Sequence, residues 1–127
     1  MKHLLVITLG GGLGSGLRYL LSAWAHRNFS HALAGAGTLA VNLAGCFLIG
    51  FFALFFTDRA HLPQEYRIFL VTGILGGFTT FSAFGLESFY LLQQGQWGQG
   101  LLNIGLNLGL GLLLVAMGFG LANWLIR

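Results

Sequence analysis

Charge is scarce in this chain: 7% of its 127 residues are charged, three acidic against six Lys and Arg. That excludes an ordinary soluble domain, in which about a quarter of the residues carry charge. Hydrophobic residues make up 56% of the chain, the composition of an integral membrane protein. A single cysteine, Cys46, excludes an intrachain disulfide and reads as a small packing residue. The basic residues are scattered, so there is no patch for nucleic acid despite a pI near 9.6. His3, His26, His31 and His61 fall at or beyond the ends of the apolar runs without a shared ligand spacing, which argues against a metal enzyme. With so few polar side chains, no nucleophile, base and orienting group can be assembled for any enzyme.

What the chain has is long apolar runs. Four of them, at 4–25, 32–56, 68–92 and 101–126, are each long enough to cross a hydrocarbon core, which takes roughly 20 helical residues. The expected fold is therefore all-α, a single four-helix transmembrane domain covering 1–127. The first run is too long for the hydrophobic part of a signal peptide and has no small-residue cleavage site before His26, so it reads as retained. Lys2, Arg59, Arg67 and Arg127 would share one side of the membrane, and Arg27, with Arg18 if it snorkels that way, the other. This bias weakly favours cytoplasmic termini and is small enough for insertion in either orientation.

The third run is interrupted at its centre by GILGGFTTFSAF, Gly73 to Phe84. Gly76 and Gly77 each cost about 1 kcal/mol of helix stability relative to Ala, and the β-branched pair Thr79 and Thr80 follows at once. The helix is expected to break here. At membrane depth, non-helical backbone persists only where protein buries it or water lines it, so a broken span points to an ion or substrate site. A competing reading takes Gly73 and Gly77 as a GxxxG packing pair.

Other polar residues within the runs are few. Arg18 either snorkels to the interface or faces a polar interior. Asn42, central in the second run, must find partners for two donors and an acceptor, on another helix or in a wet path. Phe47, Phe51 and Phe55 recur every four residues as an aromatic stripe that reads as lipid-facing or core. Glu87 is the one acidic residue in a run, and three roles stay open for it: a titrating group, the partner of a basic residue, or an interfacial side chain. Phe81, Phe84, Glu87 and Tyr90 recur every three residues along one rough face. Asn103 and Asn107, four apart, form a polar track with Gly111 one turn on. Gly10 with Gly14 and Gly12 with Gly16 give the first helix a glycine face for packing, and Gly105 with Gly109 read the same way. The glycine-dense stretch after Leu9 is not a nucleotide loop, since GxGxxG fails at Ser15 and no P-loop lysine follows. Trp97 suits the lipid interface.

Three motifs in this order, GGLGSGLRY (Gly11 to Tyr19), TLAVNLAGCFLIG (Thr38 to Gly50) and GGFTTFSAF (Gly76 to Phe84), resemble the Fluc (CrcB) family of small bacterial fluoride channels over nearly the whole chain. The resemblance implies an antiparallel, dual-topology homodimer in the bacterial cytoplasmic membrane, passively exporting fluoride through two pores. It also implies a central structural sodium ion held by backbone carbonyls of Gly76 and Thr79 from both copies. By motif, the pore residues are Phe81, Phe84, Asn42 and Ser82, with Asn103 and Asn107 as the polar track. Arg18 matches the first-helix arginine and Glu87 the acidic residue after the break. The chain departs from the pattern at Ala83, where the family usually has Thr, and at Cys46, where it has Ser. Fluoride holds water tightly, so a pore must replace hydration with donors, which Asn42, Ser82, Asn103 and Asn107 can supply, while phenylalanine edges contact the anion. The alternative from another class is a dual-topology, proton-coupled small multidrug transporter. It wants a membrane carboxylate in its first span, where this chain has Arg18. A small structural subunit of a larger complex is a third possibility, and it would not require the broken helix.

Overall fold

A computed structural model describes residues 1–56 and 63–127. Arg59 and His61, and with them part of the hydrophilic connection at 57–67, lie outside the described residues. The first helix, α1, is Lys2–Phe29; α2 is Ala36–Phe56, its last turn tightened to 3-10 geometry over Leu54–Phe56. The third span, Gln64–Gln93, divides into α3 (64–78) and α4 (Phe81–Gln93), and α5 is Trp97–Ile126. Four spans are long and apolar enough to cross a membrane, and the described residues contain no strand. The chain is a multi-pass membrane protein.

Two stretches widen to π geometry, Ile68–Leu75 in α3 and Leu106–Leu110 in α5. Such i→i+5 turns often mark functional positions. The first ends immediately before Gly76, and the second contains Asn107.

Packing between spans runs through glycine. A side chain at Gly10 would meet Phe69 O at 2.8 Å and Gly73 Cα at 3.0 Å; one at Gly14 would strike Ile74 O, and one at Gly77 would meet Gly11 O at 2.5 Å. The Gly73/Gly77 pair thus does pack closely, against α1, while the helix also breaks just beyond it: both readings of those glycines hold at once. The glycine face of α1 is narrower than expected. Gly12 and Gly16 have open space beside them, as do Gly105 and Gly109 on α5, so within this chain none of the four is a packing contact. The close approach of α2 to α5 is made instead by Gly50 against the Val115 carbonyl and Gly118 against the Phe47 carbonyl. Along the aromatic stripe Phe51 and Phe55 lie 5.4 Å apart, and all three of its rings are half-buried.

The break occupies Thr79 and Thr80, both extended, at φ −83°, ψ 158° and φ −150°, ψ 114°. Thr79 ends α3, its N–H and Oγ1 each donating to Leu75 O at 3.0 Å. Thr80 starts α4 as its N-cap, Oγ1 accepting from the Ala83 N–H at 3.3 Å. This hydroxyl satisfies one of the donors that a helix N-terminus leaves unpaired. The backbone of the break rests on α2, where Gly45 leaves room for the Thr79 methyl group.

Candidate functional site

An extended residue in the middle of a span exposes a peptide group that hydrocarbon cannot satisfy. Asn42 supplies its partners: Oδ1 accepts from the Thr80 N–H at 2.9 Å and Nδ2 donates to Thr80 O at 3.1 Å. The side-chain amide stands in for a neighbouring backbone, covering two groups that would each cost about 1 to 3 kcal/mol if left bare. Since Thr80 N–H can only donate, the orientation of the Asn42 amide is fixed.

From there a ladder of amides crosses to α5. Asn42 Nδ2 also donates to Asn107 Oδ1 at 3.0 Å; Asn107 Nδ2 donates to Asn103 O at 3.0 Å and to Asn103 Oδ1 at 3.1 Å; Asn103 Nδ2 donates to Ser88 Oγ on α4 at 3.0 Å. The Asn103 carbonyl fixes the second amide as Thr80 fixes the first. Asn103, near the start of α5, is buried at 3% exposed. In this arrangement the N–H groups of Asn42 and Asn107 are engaged inside the ladder, so these two residues brace the break and do not offer free donors. Ser82, exposed, with Oγ 3.4 Å from Thr80 Oγ1, has the more available hydroxyl.

Phe81 and Phe84 follow the break as an edge-to-face pair, centroids 5.4 Å apart and planes at 67°. They do not share a burial environment: Phe84 is 6% exposed and Phe81 77%. Together with Asn42, Thr79, Thr80 and Asn107 they line a cavity of about 350 Å³. Its wall also includes Cys46, whose thiol faces Gly111 on α5.

A second cavity, about 620 Å³, lies between α1, α2 and α4. Ser15, Arg18, Ser22 and His26 line it from α1, Thr38 from α2 and Glu87 from α4. Arg18 is thus half-buried beside polar groups. Thr80 borders both cavities. Glu87 is held by a polar residue and not a basic one: Oε1 accepts from Thr38 Oγ1 at 2.7 Å, while Oε2 is buried and without a hydrogen-bond partner among the described residues.

Gly76, exposed, and Thr79, half-buried, lie at the carboxyl end of α3, where helix carbonyls lack intrahelical partners and the dipole favours a cation. Carbonyl oxygens suit a hard cation such as sodium, but two carbonyls from one chain are too few to enclose it, and a symmetry-related second set would bring them to four. Ser15 Oγ, 3.4 Å from Gly77 O, takes up a further carbonyl at this helix end.

Sequence reasoning passed over Thr80 as cap, Ser88 and Thr38 as partners, Gly35, and the polar stripe of α1. The spacing of Ser15, Arg18, Ser22 and His26, by three, four and four, carried a helical-face signal for the last. Thr38, four residues before Asn42, carried one for the second. Ser88 had no signal beyond being polar.

The family profile described as CrcB-like protein, Camphor Resistance (CrcB), matches residues 5–119. A protein of Rhizobium meliloti named fluoride-specific ion channel FluC is 46% identical, the match covering 95% of this chain and 96% of that one. Proteins of the same name from Chloroflexus aurantiacus, 44% identical over 98% of both chains, and Clostridium perfringens, 46% identical over 93% of this chain and 91% of that one, are similar along the same length. These matches run through all four spans, the break and every residue of the amide ladder, and by them this chain belongs to the CrcB family.

Proposed function

We propose that this protein is a passive, fluoride-selective channel of the bacterial cytoplasmic membrane, working as a homodimer of oppositely oriented protomers with two pores. The observation that carries the reading is the braced break: backbone at membrane depth, held by Asn42 and Asn107, with the edge-to-face pair Phe81 and Phe84 at its mouth. A tightly hydrated small anion needs donors such as hydroxyls and ring edges, and it needs no fixed cation in the narrow part that would trap it. Ser82 and the two rings supply such contacts, while Arg18 stands apart in the wider cavity, where it can raise local anion concentration.

The second copy has its own support. Phe81 is three-quarters exposed beside a mostly apolar cavity, with Asn42, Thr79, Thr80 and Asn107 as its polar wall, that is open on one side of the protomer, and a partner would close both. A sodium ion on the dimer axis, held by Gly76 and Thr79 carbonyls of both copies, would supply positive charge that neutralises the facing carboxyl ends of two α3 helices. Its role is structural. The multidrug-transporter reading is not favoured: the first span carries Arg18, and Glu87 is tied to Thr38.

Purified protein in liposomes loaded with fluoride or with chloride tests the function. Rapid fluoride loss with chloride retained is the expected result, and retention of both anions by folded protein would refute it.

A further inference from the structure

Gly35 joins the two polar systems of the site. It is the N-cap of α2, in a left-handed conformation at φ 75°, ψ 17° that L side chains adopt only under strain. A Cβ built there would lie 2.8 Å from Glu87 Oε2 and 3.3 Å from Asn103 Oδ1. One point therefore touches both the unpartnered oxygen of Glu87 and the oxygen with which Asn103 receives Asn107. Thr38, three residues on, holds the other Glu87 oxygen at 2.7 Å. The first turn of α2 thus holds one end of the Glu87 carboxylate by a hydroxyl and leaves room for the other, where Gly35 has no side chain, at the positive end of the helix.

We propose that Gly35 is a positioning residue for conduction: its bare Cα lets the Glu87 carboxylate and the Asn103 amide occupy one small volume, and so sets the far end of the ladder that runs through Asn107 and Asn42 to Thr80. A methyl group there displaces one or both side chains. Displacement of Asn103 is transmitted by three successive hydrogen bonds to the break, although Gly35 itself is remote from it in sequence. This deepens the channel reading and rests on it for its functional arm.

The test is a cycle of Gly35→Ala and Glu87→Ala, read by fluoride efflux from liposomes and by the side-chain amide resonances of Asn42, Asn103 and Asn107 in the labelled, full-length protein. Gly35→Ala is expected to cut flux roughly tenfold in the parent and to cost little more once Glu87→Ala has cleared the space, since residues that share a volume couple. All three amides should shift in Gly35→Ala, and the Asn103 and Asn107 signals should move back toward their parental positions in the double variant. Equal flux losses in both backgrounds would assign the effect to backbone strain alone and overturn the proposal. If Glu87→Ala is itself inactive, the amides decide, and unmoved resonances in Gly35→Ala overturn it equally. A parent that carries no fluoride would sink the channel reading yet leave the amide result to judge the positioning.

Discussion

At the scale of single residues, Asn42 carries the heaviest duty, because one side chain satisfies both backbone groups of Thr80 and the next amide as well. Asn42→Leu should destabilise the fold by about 2 kcal/mol or more through the bare N–H and C=O it leaves, measurable as a lower unfolding midpoint in detergent. Asn42→Asp keeps the acceptor for Thr80 N–H but sets a carboxylate against Thr80 O and Asn107 Oδ1; fluoride flux should be lost even where folded protein is recovered. Phe81 and Phe84 should separate cleanly. Phe84 is buried, so Phe84→Ala should cost about 3 to 5 kcal/mol, whereas Phe81→Ile should leave the protomer's stability nearly unchanged and lower flux by removing the ring edge. Flux equal to the parent in Phe81→Ile would place that ring outside the path. Methionine, polarizable and flexible, should be the better-tolerated replacement at either position. The sequence made Asn42, Asn103 and Asn107 legible because amides in an apolar run demand partners. The four-residue spacing put Asn103 and Asn107 on one face, but it could not reveal that Asn42 joins them, since that bond spans 65 residues and depends on how α2 packs against α5.

At the scale of elements, the break was readable from GGFTT because glycine and β-branched residues weaken a helix wherever they fall together. Its exact mechanics were not readable, because Thr79 and Thr80 divide the work: one closes α3, the other caps α4. The glycine faces were half legible. GxxxG spacing identifies small residues on one side of a helix but not which side meets a neighbour, and Gly10 and Gly14 face α3 while Gly12 and Gly16 do not. Alanine substitution should therefore split the set. Gly14→Ala, against the Ile74 carbonyl, should cost about 1 to 3 kcal/mol by overpacking. Gly12→Ala, in open space, should be neutral or stabilise α1 by up to about 1 kcal/mol. Equal midpoints for the two variants would contradict the helix order described for α1 and α3.

At the scale of the whole molecule, four spans were legible from apolar run length, the third of them broken, while the proposed partner and its orientation rest on the small Lys and Arg bias and on the exposed Phe81. Two or three lysines added to one terminus should force a single orientation and reduce flux, and coexpression of the oppositely biased variant should restore it. Full flux from one forced orientation would exclude the antiparallel pair. Replacing sodium with a larger organic cation should weaken dimer stability without altering which anion passes, because the proposed ion sits on the axis and not in the path. The central claim, that a pair of these chains forms a fluoride-selective passive pore, is tested most directly by the reversal potential of the purified protein in a planar bilayer with fluoride on one side and chloride on the other. The account predicts a potential set by fluoride alone and unmoved by a proton gradient; comparable chloride permeability, or a potential that follows the proton gradient, would contradict it.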